Sequence, residues 1–123
     1  MFDLCPCGTG KNYIACCGPV HGGAQAGDAQ ALMRARYSAY AKSNEAFLLR
    51  SWAPETRPNS LGLDPRQIWT KLDIKGHKIT GPDTAIVHFK AHWRVGDRSG
   101  TITEKSRFRR DGSDWVYVDG DVS

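Results

Sequence analysis

The four cysteines of the chain are concentrated in its first 17 residues, as two close pairs: Cys5, Cys7, Cys16 and Cys17. A tetrahedral zinc site needs four thiolates at about 2.3 Å from the ion, and two close pairs from two chain segments can supply them. Gly8 and Gly10 lie between the pairs and permit the positive φ angles of a tight turn. The spacing therefore predicts a zinc knuckle with these four cysteines as its ligands.

The same residues leave other chemistry open. Disulfides form in oxidising compartments, but residues 1–20 contain no basic start followed by an apolar stretch, so nothing in them predicts export. An iron–sulfur cluster is harder to distinguish, because cysteine ligation alone does not choose between zinc and iron. His21 is an alternative to Cys17 as fourth ligand, although a loop histidine beside glycines is more often solvated.

Length and composition predict one domain behind the knuckle. The chain has 123 residues, of which 40% are hydrophobic, and this is enough for a single core. Residues 1–27 are poor in apolar side chains, so we expect them to contribute little to it. We predict a knuckle over 1–22 and a domain over 28–123. No apolar run approaches the roughly 18 residues of a membrane span, and we expect a soluble, cytoplasmic protein with no membrane partner.

The net charge of +4 raises the question whether the protein binds nucleic acid. One zinc ion with four thiolates adds two negative charges and brings the loaded protein nearer to neutrality. The densest basic cluster is Lys105, Arg107, Arg109 and Arg110. The first three alternate along a predicted strand, which is typical of a solvated outer face. Nucleic acid is therefore not the expected partner and stays a minor alternative.

The order of elements is helices first and strands afterwards. Asp28 can cap a helix that continues to about Ser43, and Asn44 can cap a second, short helix before Pro54. Alternating apolar residues begin at Ile68 and mark four strands with hairpin turns. Helices followed by a sequential antiparallel sheet predict an α+β fold, with the sheet curled around the long helix as a roll with an open cone.

Three of the four predicted strands have a predicted core-facing side. In the first strand these residues are Ile68, Leu72, Ile74 and, beyond a bulge at Gly76, Ile79. In the second strand they are Ala85, Val87, Phe89, Ala91, Trp93 and Val95, which leaves His88 and His92 outside. In the third strand they are Ile102, Glu104, Ser106 and Phe108.

The segment CPCGTGKNYIACCG, from Cys5 to Gly18, resembles the SEC-C motif, a zinc module found on many unrelated bacterial proteins. The resemblance implies that Cys5, Cys7, Cys16 and Cys17 are the metal ligands. It also implies that the module docks to a protein partner and does not itself catalyse a reaction.

The rest of the chain resembles the bacterial YchJ-like family. The similar segments are Leu32–Tyr40, Ser51–Pro58, Val87–Ala91, Glu104–Phe108 and Trp115–Gly120. The resemblance implies a nuclear transport factor 2-like (NTF2-like, or cystatin-like) α+β roll behind the knuckle, with no assigned biochemical role. Two features differ: residues 1–123 contain no second SEC-C motif, and Ala53 occupies a position expected to be histidine. Loss of that histidine weakens an acid–base mechanism.

The inward position of Glu104 predicts either an ion pair or a binding site. A carboxylate among apolar neighbours needs a partner, and Arg36 on the long helix is the natural candidate. The structural interpretation is an ion pair at the mouth of the cone. The functional interpretation is a small-molecule pocket floored by Arg36, Tyr40, Trp52 and Glu104.

No nucleophile–base pair, phosphate-binding loop or pair of carboxylates suggests catalysis, and we assign no catalytic residue. The sequence therefore predicts a zinc-binding accessory or docking protein that uses its knuckle to bind a protein. The alternatives are a small-molecule-binding roll or an enzyme that uses the cone around Glu104, and a weak nucleic-acid-associated protein.

Overall fold

The computed structural model describes residues 3–123, and within them helices precede an antiparallel sheet. The helical elements are a 3-10 helix at Tyr13–Ala15, α1 at Cys17–His21, α2 at Ala29–Ala41 and α3 at Glu45–Arg50. The strands are β1 at Ile68–Gly81, β2 at Thr84–Val95, β3 at Arg98–Asp111 and β4 at Asp114–Val122. This order confirms the predicted α+β class. Among the described helices, none is both long and apolar enough to cross a membrane.

Side-chain caps begin both longer helices where the sequence predicts them. The Asp28 carboxylate accepts a hydrogen bond from the Ala31 N–H at 2.7 Å, before α2. The Asn44 side chain accepts one from the Phe47 N–H at 3.2 Å, before α3. Each cap satisfies one of the N–H groups that a helix start leaves without an acceptor. α2 ends at Ala41, close to the predicted boundary, and Ser43 turns the chain just beyond it with a φ of 56°.

The four strands form a meander in the order β1-β2-β3-β4, with antiparallel neighbours throughout. Gly96 and Gly112 take positive φ angles of 61° and 64° in the turns before β3 and β4. The alternation predicted for β2 is confirmed, since Ala85, Val87, Phe89 and Ala91 are buried. On β3 the inward side chains of Ser106 and Phe108 are also buried. One face of the sheet therefore carries the core.

The prediction for β1 is wrong at its two ends. Ile68 is 49% exposed and pairs with Arg94 on the outer face, while Trp69 pairs with Trp93 on the inner face. The cause is a register shift between Trp69 and Lys71, because one extra residue reverses which face later residues occupy.

Ile79 is the other exception in β1. A further shift between Ile74 and Gly76 confirms the predicted bulge and pairs Ile79 with the buried Ala85. Ile79 is nevertheless 75% exposed. It lies near the far end of an edge strand, so the register alone does not bury it.

The core extends into the N-terminal segment, contrary to expectation. Cys5, Cys7 and Cys17 are buried in the same cluster as Leu32 and Val87. The expectation from apolar content gave residues 1–27 too small a share of the core, because buried thiols pack as small hydrophobic groups.

His21 connects the N-terminal segment to α2 and is half-buried, not solvated. Its Nε2 lies 2.7 Å from the Ala35 carbonyl oxygen and its Nδ1 lies 2.6 Å from the Tyr13 hydroxyl. A carbonyl can only accept, so Nε2 carries the hydrogen and Nδ1 accepts from Tyr13. The ring also packs on Phe47, with 4.6 Å between centroids. The neutral imidazole therefore fits this site best.

We expect His21 to make stability depend on pH. Burial lowers the pKa of His21 below its ordinary value of 6.5, so the folded protein binds fewer protons there than the unfolded chain. The free energy of unfolding should therefore fall as the pH drops below about 6.5. Urea unfolding of the wild type and of His21→Gln, from about pH 8 to pH 5.5, should show the larger loss in the wild type. Parallel pH profiles for the two proteins would contradict this assignment.

Candidate functional site

A short hairpin and two short helices bring the four cysteines together. Leu4 and Asn12 form an isolated antiparallel bridge, and the Cys5 N–H donates to the Lys11 carbonyl at 2.9 Å. Gly8 and Gly10 make the turn between them with φ angles of 86° and 85°, as predicted. Cys16 follows the 3-10 helix and Cys17 begins α1. The backbone thus returns the second pair of thiols to the first.

The thiol cluster has the dimensions of a tetrahedral metal site. The Sγ atoms of Cys5, Cys7, Cys16 and Cys17 all lie within 4.8 Å of one another. The Sγ atoms of Cys7 and Cys16 are 3.6 Å apart, too far for a disulfide bond of about 2.05 Å. Four thiolates at about 2.3 Å from one ion would be separated by about 3.8 Å. The cluster is therefore compatible with zinc binding.

Three side chains that the sequence analysis missed support the thiols. The Ser38 hydroxyl lies 3.3 Å from the Sγ of Cys5, and the Thr9 hydroxyl lies 3.1 Å from the Sγ of Cys16. Arg34 donates to the Cys7 carbonyl at 2.7 Å. Arg34 and Ser38 are four residues apart in α2 and so lie on one helix face. An arginine and a serine on one face of α2 were the available signal.

The ionisation of the thiols is uneven. A hydrogen bond from Cys17 lowers the pKa of the Cys7 thiol to about 4. The pKa of Cys17 is raised, because its proton is held in that bond and its thiol is buried. Burial also raises the pKa of Cys16. Thiolates this close repel one another, so full ionisation of the cluster requires a cation among them.

Glu104 faces the inner side of the sheet, as predicted, but its partners differ from the expected one. The hydroxyls of Ser106 and Tyr117 both donate to its Oε2, the latter at 3.0 Å. Within the described chain, Arg36 forms no ion pair with it. The expected ion pair between Arg36 and Glu104 is therefore replaced by two hydroxyl donors.

Arg36 is instead enclosed by two aromatic rings, one carbonyl group and one hydroxyl. Its guanidinium lies 4.5 Å from the Tyr117 ring centroid and 5.0 Å from that of Trp52. Its Nη1 donates to the Leu48 carbonyl at 2.9 Å and to the Ser51 hydroxyl at 2.7 Å. Burial lowers the pKa of Arg36 to about 10, which leaves it charged at neutral pH. The Tyr117 ring thus lies against the cation while its hydroxyl binds Glu104.

A pocket between α2 and the inner face of the sheet, here called the cone pocket, has a volume of about 160 Å³. Of the four residues predicted to form the floor of a pocket, Tyr40 and Glu104 line this one. Arg36 and Trp52 are not among its lining residues. Two of the four residues of the predicted floor therefore line the pocket and two do not.

Three of the four side chains in the basic cluster of β3 are paired with carboxylates. Arg107 binds Asp121 at 2.8 Å, Arg109 binds Asp111 at 2.7 Å, and Arg110 binds Asp83 at 2.8 Å. The register places Lys105 and Arg107 opposite His88 and Ile86, on the outer face. The positive charge of this face is thus balanced locally.

The family comparisons cover both parts of the chain. The family described as "YchJ, middle NTF2-like domain" matches residues 28–120, and the family described as "SEC-C motif" matches residues 3–19. A UPF0225 protein of Xanthomonas oryzae is 50% identical over 120 residues, which cover 95% of this chain and 93% of that protein. A UPF0225 protein of Streptomyces avermitilis is 46% identical over 95% of this chain and 83% of that protein.

Two solved structures have the same fold. A SEC-C motif-containing protein of Rhodopseudomonas palustris aligns with a TM-score of 0.84 and 29% identity, over 98% of each chain. A second such protein, from Psychrobacter arcticus, gives a TM-score of 0.81 and 26% identity, over 99% of this chain and 85% of that one. The matched family models and the similar relatives show that this chain belongs to the YchJ-like (UPF0225) family. Its members here combine an N-terminal SEC-C motif with an NTF2-like domain.

Proposed function

We propose that the protein binds one zinc ion through Cys5, Cys7, Cys16 and Cys17 and uses the ordered N-terminal module to dock to a protein partner. The observation that carries the proposal is the convergence of four thiols within 4.8 Å. Four protein ligands complete a tetrahedral shell, and such closed sites serve structure more often than catalysis. The role of the ion is then to hold the hairpin against α2.

Exposed apolar side chains support the docking role. Ile14 is 80% exposed and Leu4 is 60% exposed, and both belong to the module that carries the thiols. Large apolar side chains on a small module are costly to keep in water. A protein partner that covers them would recover that free energy.

The same chemistry supports a cytoplasmic location. Metal-binding thiolates persist where thiols are kept reduced, and oxidation to disulfides would remove the ligands. Three of the four cysteines are buried, which further protects their sulfur atoms.

We expect one zinc ion per chain. Native mass spectrometry of protein purified without chelator should show the added mass of one zinc. Cys16→Ser should lose most of it, since one of the four ligands is removed. Ser38→Ala is the matched control, because it removes a hydrogen bond to Cys5 without removing a ligand. It should retain one zinc with an affinity weaker by about 10- to 100-fold. Four freely titrating thiols with no bound metal would overturn the zinc site.

Removal of the metal should loosen the module before the sheet. Residues 3–22 owe much of their order to the thiol cluster, whereas β2 and β3 are held by a continuous ladder from Thr84↔Arg109 to Val95↔Arg98. Hydrogen exchange after chelation should therefore rise in residues 3–22 and remain slow in the middle of β2 and β3. Equal loss of protection in both regions would show that they unfold as one unit.

A matched pair of surface substitutions can separate docking from folding. Ile14→Asp places a charge on the module, and Ile79→Asp places one on β1, at side chains that are 80% and 75% exposed. Neither should change stability by more than about 0.5 kcal/mol. In affinity capture from the native cytosol, only Ile14→Asp should lose the partner. If both variants capture equally well, the docking surface is not on this face of the module.

A further inference from the structure

The cone pocket combines one carboxylate with several aromatic side chains. Glu104 lies in its wall together with Tyr37, Tyr40, Trp69 and Phe89. Tyr40 and Trp69 are in direct contact, with 5.8 Å between ring centroids, and Tyr37 packs on the same indole at 6.2 Å. Aromatic rings attract cations through their quadrupole, and a carboxylate attracts them through its charge. The composition of the wall therefore points to a positively charged ligand.

The position of the Glu104 carboxylate is fixed by its surroundings. Two hydroxyls, from Ser106 and Tyr117, donate to Oε2. Gly120 on β4 lies so close that a Cβ atom there would collide with Oε2 and with the carbon atoms that carry it. Within the described chain, Oε1 accepts no hydrogen bond. One oxygen is thus anchored and the other is available to a ligand.

Glu104 forms no ion pair within the described chain, and the Arg36 guanidinium acts on it only through space. Arg36 has a buried guanidinium, but its Nη1 is directed to the Leu48 carbonyl and the Ser51 hydroxyl. The Tyr117 ring lies on that guanidinium at 4.5 Å, while the hydroxyl of the same side chain reaches Glu104. A half-buried carboxylate beside aromatic rings would gain from a cation that it could contact.

From these contacts we propose that the cone pocket binds a small organic cation with an alkylammonium head. The head would contact Oε1 of Glu104 and the rings of Tyr40 and Trp69. The volume of about 160 Å³ is close to that of a cavity of about 150 Å³ known to hold benzene, so it suits a ligand of about five to eight heavy atoms. This site is independent of the thiol cluster.

Choline and its neutral isostere 3,3-dimethylbutan-1-ol test the proposal on the unsubstituted full chain. The two molecules have the same shape, so their difference isolates the charge. In a heteronuclear NMR titration, choline should shift the Trp69 indole N–H and the amides of residues 102–104 saturably, at millimolar concentrations or below. The alcohol should bind about tenfold more weakly. Equal affinity for the two, or no saturable shift with choline, would exclude a quaternary head, and the proposal is overturned if n-butylammonium also binds no more tightly than the alcohol.

A titration with n-butylammonium distinguishes the head groups. It presents the primary ammonium of a lysine side chain, whereas choline presents a quaternary one. Tighter binding of either, relative to the neutral alcohol, supports a cation site and identifies the preferred head. If neither cation binds more tightly than the alcohol, the pocket is not a cation site.

The negative charge of the pocket can also be removed by substitution of Glu104. Glu104→Gln keeps the size of the side chain and an acceptor oxygen but removes the charge, so choline should bind about tenfold more weakly while the alcohol is unaffected. Asp97→Asn, at an exposed carboxylate in the turn before β3, is the matched control and should leave both affinities unchanged. Undiminished choline binding by a folded Glu104→Gln protein would overturn the role of the carboxylate. If that variant does not fold, the comparison of choline with its isostere on the unsubstituted chain decides.

Discussion

The burial of α2 on two sides is the constraint on which the rest of the structure depends. One side of the helix contributes Met33 and Tyr37 to the wall of the cone pocket. Another side meets the thiol hairpin through Arg34 and Ser38. A helix in contact with both neighbours cannot shift toward one of them without losing contacts with the other. The metal module and the sheet are therefore positioned by the same element.

Tyr117 organises the interior of the sheet in a comparable way. Its ring lies on the Arg36 guanidinium and its hydroxyl binds Glu104, so one side chain serves a buried cation and a carboxylate. Its backbone N–H and carbonyl pair with Ser51 and Ala53. Burial raises the pKa of Tyr117, which keeps its hydroxyl protonated as a donor. Tyr117 thus contacts both charged groups, and the carboxylate remains accessible from the pocket.

Much of the fold followed from local patterns in the sequence. Asp28 and Asn44 marked the helix starts because capping is decided by neighbouring residues. The buried side of β2 followed from strict alternation along the strand. The convergence of the four cysteines followed from their arrangement as two close pairs with glycines between them.

Contacts between distant elements were not predictable in the same way. Ser38 lies 33 residues from Cys5, and nothing local connects them. Arg36 was expected to pair with Glu104 because opposite charges shared the interior. The side chain of Tyr117 instead contacts both groups, with its ring on Arg36 and its hydroxyl on Glu104. Its orientation depends on β4, which no local pattern around Arg36 or Glu104 indicates. In β1 the extra residues alter the register, and alternation cannot be extended across them.

Those irregularities in β1 have a consequence for the behaviour of the protein at high concentration. The two outer strands of the meander are β1 and β4. At Tyr117, the free side of β4 is covered by the backbone of Ser51 and Ala53. The register of β1 is interrupted at three points, between Trp69 and Lys71, Ile74 and Gly76, and Ile79 and Gly81. Edge strands that are long and regular recruit further strands and aggregate, whereas bulges twist the edge away from a flat template. A strand of 14 residues can thus end a sheet without inviting intermolecular β-pairing.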